Sequence, residues 1–200
     1  MTRPVTPWQT VGPFFNAHLL REGDDDLTRI DPSGPRAAGE AIEIRGRVLQ
    51  EGGVPVPSAL VEIWQANAAG RYNHPADARS DRPIDPNFHG FGRTLTDREG
   101  RYRFLTIRPG AVPGGGNRWQ APHVSFSIFA AGLLRRLITR LYFPGEPLNE
   151  GDPVLTAIPD PEARATLIAR KEAAAAPSGA RAYRFDIVLR GENETAFFID

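Results

Sequence analysis

Cysteine is missing from all 200 residues. That excludes disulfides, thiolate metal ligands and thiol nucleophiles together. Net charge is missing as well, because 24 Lys and Arg balance 24 Asp and Glu. No excess of positive charge draws the chain to nucleic acid or to an anionic membrane. No apolar run reaches the length that spans a bilayer. The opening MTRPVTPWQT carries no apolar stretch of the secretory kind, so the cytoplasm is the expected compartment. Histidine is scarce, with only His18, His74, His89 and His123. No H-E-x-x-H, G-x-S-x-G, phosphate-loop or facial-triad spacing occurs. The run Gly114-Gly115-Gly116 lacks the lysine and the strand–helix context of a phosphate loop and reads as a plain loop.

Glycine and proline, by contrast, are plentiful, at 20 and 19 residues. Without low-complexity repeats, that points to many turns and a β-rich chain. Period-two alternation marks strands at 40–49, 59–65, 92–96, 101–107, 123–129, 137–143, 183–189 and 196–199. Asp97-Arg98-Glu99-Gly100 is a hairpin signal between two of them. Residues 21–39 read as an exposed polar loop, and 109–116 as a loop without periodicity. Asp160 suits an N-cap, Pro161 the first helical position and Glu162 the first turn. Strong helix formers then predict a helix over 161–176, stopped by Pro177 and Gly179. The expected fold is mainly β: a two-sheet β-sandwich of seven to eight strands, one domain over 1–200, with one late helix and long loops. Residues 1–39 form an arm and loop. Its aromatics Trp8, Phe14 and Phe15 are unlike a flexible tail and predict packing against this chain or another.

The strand WQAPHVSFSIF (119–129) carries the sharpest chemical hint. Val124, Phe126 and Ile128 point to one face; His123, Ser125 and Ser127 point to the other. A His-x-His strand would aim two imidazoles at one metal, but here the second position is serine, a poor partner for a transition metal. Taken singly, His123 is a hydrogen-bonded histidine at a strand start, Tyr72 a half-buried loop aromatic, and Tyr102 and Tyr142 packing residues. His18, His74 and His89 lie in loops and read as solvated.

Several segments in one order carry a resemblance. LVEIWQANAAGRYNH (60–74), DPNFHGFGRTLTDREGRYRFLTIRPG (85–110), WQAPH (119–123) and RLYFPGE (140–146) resemble the intradiol ring-cleaving dioxygenases. QTVGPFF (9–15) and YRFDIVLRGENETAFFID (183–200) extend the likeness over nearly the whole chain. The resemblance implies a β-sandwich and a non-haem ferric ion held by two tyrosines and two histidines. Mapped onto this chain, those four positions are Tyr72, Val112, His123 and Ser125. An arginine follows the loop tryptophan in catalytic members; here Gln120 follows Trp119. Two ligands and the arginine are missing, which implies a chain without iron. The likeness is closest to the α chain of the two-chain, protocatechuate-cleaving branch, in which a homologous β chain holds Fe(III). It further implies that Thr10, Gly12, Pro13 and Phe14 wall the partner's substrate pocket, with phenylalanine where α chains often carry tyrosine. Two other readings stay open at this point. One is a non-catalytic sandwich acting as a binding or structural module. The other is a self-contained altered metal site using Tyr72, His123 and His74 or His89.

Overall fold

A computed structural model describes Pro7 and residues 19–199. Thr10, Gly12, Pro13, Phe14 and His18 lie outside the described residues. In chain order the strands are β1 (Ala41–Leu49), β2 (Leu60–Trp64), β3 (Phe91–Leu95), β4 (Arg101–Ile107), β5 (Val112–Pro113), β6 (Trp119–Gln120), β7 (His123–Phe129), β8 (Leu137–Tyr142), β9 (Arg170–Lys171), β10 (Arg181–Arg184) and β11 (Ile187–Val188). Two short helices, α1 (Pro153–Thr156) and α2 (Pro161–Ala165), fall between β8 and β9. One sheet runs β11–β1–β10–β9 with β4 also paired to β1, and the other runs β3–β2–β7–β8. β5, inside the glycine-rich segment 109–116 expected to be irregular, pairs with β6 in a separate two-stranded ribbon.

The alternation explains the layering. Val124, Phe126 and Ile128 of β7 are fully buried, as are Ile42 and Ile44 of β1, and all five belong to one core between the sheets. Phe126 sits at its centre, with ring centroids 5.9, 6.4 and 5.3 Å from Tyr102, Phe104 and Phe185. Burying one such side chain contributes roughly 1.5–3 kcal/mol. The mainly β sandwich of the sequence reading is therefore present.

Three expectations need correction. The turn at 97–100 closes no hairpin: β3 pairs with β2 and β4 with β1, so the turn carries the chain from one sheet to the other. Its local chemistry is as expected, with Asp97 Oδ1 accepting from the Glu99 and Arg101 amides. Turn chemistry is local, however, and does not choose the strand's partner. Residues 21–39 are not simply an exposed loop, since Leu27, Thr28 and Ala37 are buried. The Leu27 amide donates to Leu105 O, and Asp25 O and Asp24 O accept from Leu105 and Arg93. The segment thus covers exposed edges of β4 and β3, where unpaired backbone would otherwise invite association. Finally, the helix expected over 161–176 stops at Ala165. Asp160 does cap it, accepting from the Glu162 amide. Beyond it, Leu167 O accepts from Tyr142 N at 2.8 Å and Ala169 N donates to Tyr142 O at 2.9 Å. Lys171 and Arg170 then pair with β10. Two sheet edges needing partners outweigh the propensity of an alanine-rich run.

Candidate functional site

The site lies on the face of the four-stranded sheet turned away from the core. Cross-strand register places Tyr142 opposite His123, Arg140 opposite Ser125 and Ile138 opposite Ser127. On the other side Trp64 is opposite Ser125 and Glu62 opposite Ser127. Directly opposed residues share a face, so Trp64, Ser125, His123, Arg140 and Tyr142 form one continuous patch.

Two loops close over it. Asn67 shapes the first: its Oδ1 accepts from the Ala69 and Arg71 amides, and its Nδ2 donates to Pro83 O. Gly70 has φ +75°, and a Cβ there would fall 2.0 Å from Ala111 O. Only glycine allows that approach, and it brings the Tyr72 loop against the segment carrying Val112. Tyr72 stacks on Trp64 with ring centroids 5.7 Å apart. Its amide donates to Asp77 Oδ2, and the Arg79 guanidinium holds the Asp77 carboxyl well below the usual range. The second loop is the β5–β6 ribbon, which sets Val112 against Gln120. A cavity of about 860 Å³ opens between the loops, lined by Trp64, Tyr72, His74, Val112, Pro113 and Gln120 among others.

Beneath the ribbon the polar groups are tightly specified. His123 is buried, and its Nδ1 lies 2.7 Å from Ala121 O. A carbonyl only accepts, so Nδ1 carries the proton and Nε2 keeps its lone pair. Burial, reinforced by the positive charge of Arg140, pushes the imidazole pKa down to about 4. Tyr142 Oη donates to Asp152 Oδ1 at 3.2 Å. The Asp152 carboxylate also caps α1 through the Val154 and Leu155 amides and accepts from Ala121 N at 2.7 Å. Arg140 Nη1 donates to Gln120 Oε1 at 2.6 Å and to Tyr142 Oη at 3.4 Å. Burial raises the phenol pKa of both Tyr72 and Tyr142, and Arg140 opposes the rise in each.

These residues do not fit a ferric ion. Tyr72 and His123 offer one phenol and one imidazole. Val112 offers no donor at all, and Ser125 offers a hydroxyl that competes poorly beside imidazole. A guanidinium stands among them. Among the described residues no group of three or more His, Cys, Asp or Glu could hold a metal ion. His74 and His89, the loop histidines, are both exposed. Sequence reasoning passed over Arg140 and Asp152 and took Tyr142 as packing alone. The signal for Arg140 was a charged residue in mid-strand, in phase with Tyr142; that for Asp152 was an N-cap residue before Pro153.

Comparison with known proteins places this geometry in a family. A family model described as Dioxygenase (Dioxygenase_C) matches residues 10–191. The chain is 48% identical over 202 residues to the protocatechuate 3,4-dioxygenase beta chain of Burkholderia cepacia, covering 97% of this chain and 85% of that one. It is 39% identical over 202 residues to the protocatechuate 3,4-dioxygenase alpha chain of Pseudomonas putida, covering 98% and 96%. The solved dioxygenase domain of a dioxygenase–carbohydrate-binding protein fusion from Streptomyces sp. SirexAA-E superposes with a TM-score of 0.58 at 27% identity, over 96% of this chain and 99% of that one. With the sandwich, the outward-facing site and these matches in agreement, the chain belongs to the intradiol dioxygenase family.

Proposed function

We propose that the chain is the α, non-iron-binding subunit of a protocatechuate 3,4-dioxygenase, working with a homologous β chain that carries Fe(III). What supports this is the donor set: Val112 and Ser125 occupy two of the four positions at which the resemblance implies ligands, and Arg140 is paired directly across the strand from Ser125. The relatives named above include both chains of that enzyme. Whole-chain identity is higher to a beta chain than to an alpha chain, so the α reading rests on the donor positions and not on that identity.

In this role the complex uses O2 to open 3,4-dihydroxybenzoate between its hydroxyl-bearing carbons, giving 3-carboxy-cis,cis-muconate. The ring-opening chemistry belongs to the partner's ferric site. This chain supplies a folded counterpart and an assembly surface, with Thr10, Gly12, Pro13 and Phe14 as a wall of the partner's pocket. Phe14 contributes a ring face there and no hydroxyl.

The test is expression of the full chain alone and with a catalytic partner chain, followed by iron analysis and visible spectroscopy. The chain alone is expected to be colourless and inactive. The co-complex is expected to show tyrosinate-to-iron absorption and ring-cleaving activity. Stoichiometric ferric iron in the chain alone would refute the proposal, and a stable monomer indifferent to the partner would favour a separate binding module.

A further inference from the structure

We infer that Arg140 is a built-in cation standing in for the metal, and that its guanidinium keeps iron out of this site even when the missing donors are restored. The inference rests on the reading of this chain as iron-free and goes beyond it, because loss of donors alone would also leave the site empty of metal.

The surrounding dipoles carry the argument. Gln120 Nε2 donates to Pro113 O at 3.1 Å, which turns Oε1 toward Arg140. Tyr142 spends its proton on Asp152, which leaves its oxygen lone pairs free to accept from the Arg140 guanidinium. His123 gives its proton to Ala121 O, so Nε2 is a lone pair. Three side chains thus have their donors engaged elsewhere, and two of them present acceptors to Arg140. That is a shell organised for a positive charge. No carboxylate lies within ion-pair distance of Arg140 among the described residues; oriented dipoles meet the guanidinium directly, and the buried Asp152 carboxylate stands one hydrogen bond further on, behind the Tyr142 hydroxyl. The Phe198 ring, 6.0 Å from the guanidinium carbon, closes one side.

The choice of arginine matters. A lysine or histidine in this position could lose its proton and admit a metal ion. Guanidinium stays charged at any accessible pH, and its planar fork suits several oxygen acceptors at once. The charge has also changed its origin. Catalytic relatives of the resemblance carry an arginine after the loop tryptophan; here that position is Gln120, and the positive charge reaches Gln120 from β8.

The experiment uses four forms of the full chain: wild type, V112Y/S125H, and that double variant with either Arg140→Gln or Arg140→Leu. Each is loaded with Fe(III), desalted, and measured for bound iron and visible tyrosinate absorption, with circular dichroism confirming the fold. The double variant is expected to retain less than about a tenth of an iron per chain. Both triple variants are expected to bind close to one iron and to become coloured. Iron in the double variant overturns the inference. So does absence of iron from both triple variants, or binding with glutamine only, which would make the amide a ligand rather than the lost charge the cause. Should V112Y/S125H not fold, Ser125→His with and without Arg140→Leu gives the same comparison by calorimetric titration with Fe(III). At least tenfold tighter binding without Arg140 is expected, and equal affinity overturns the inference. Iron in the wild-type chain would instead strike at the proposed function itself, so the two failures are distinguishable.

Discussion

Acid should destabilise this protein in a way that His123 reports. The imidazole is buried and neutral, and its pKa is pushed from 6.5 to about 4 by burial first and by Arg140 second. Above about pH 6.5 neither the folded nor the unfolded chain holds this proton. As pH falls below that value the unfolded chain takes the proton and the folded chain does not. The stability contributed by the neutral histidine is therefore fully present above pH 6.5 and is lost as pH falls toward 4. Each pH unit in the window costs about 1.4 kcal/mol. The loss reaches about 2 kcal/mol at pH 5 and about 3 kcal/mol at pH 4. Other titrating groups contribute to the total, so the reference is His123→Gln, which lacks this proton site and keeps the others. Urea unfolding of both proteins at pH 7.5, 6 and 5 yields the difference in stability. That difference should fall by about 2 kcal/mol between pH 7.5 and pH 5. The absolute cost of the substitution is irrelevant, since only the slope is read. A difference that stays flat to within about 0.5 kcal/mol would show that His123 is solvated, and one that rises as pH falls would show an imidazolium already paired; either result would refute the electrostatic description of the site.

The neighbours of His123 give further tests. Arg140→Gln removes the charge that disfavours the imidazolium, so the His123 titration followed by NMR should move up from about 4 toward 6.5; no movement would place the guanidinium elsewhere. Asp152→Ala strips a buried carboxylate from the Ala121, Val154 and Leu155 amides and from the Tyr142 hydroxyl. The cost should be about 3 kcal/mol or more in chemical unfolding, from a lost cap together with unsatisfied buried donors, and a loss below about 1 kcal/mol would contradict the network. Tyr102→Phe leaves Phe185 O without its hydroxyl donor in a fully buried setting. A loss of about 1–3 kcal/mol is expected, with no change in the iron content or colour of a complex with the catalytic chain, because Tyr102 faces the core and not the site.

How much of this was legible depends on whether a property is local. The two faces of β7 could be read directly, because alternation alone decides which side chains enter the core, and Val124, Phe126 and Ile128 do so. Val112 and Ser125, the two donor-free positions implied by the resemblance, could be read by position; Ser125 falls in the strand expected, whereas Val112 falls in a short strand where a loop was expected. The hairpin at 97–100 could not be judged that way, because the same Asp and Gly chemistry serves a turn within a sheet and a turn between sheets. Nor could the end of α2, because the competing partner for 167–171 is backbone on β8 and β10, distant in sequence. Arg140 is the instructive case. Inside an alternating strand an arginine reads as a solvated side chain on the outer face. Its meaning changes only when β8 is laid antiparallel on β7, which puts it opposite Ser125. The serine then ceases to be a mere gap in a ligand set. A short hydroxyl opposite a long guanidinium leaves room for the charge to reach Gln120 and Tyr142. Under the proposed function, Ser125 and Arg140 together set a fixed positive charge where the resemblance implies a metal ligand.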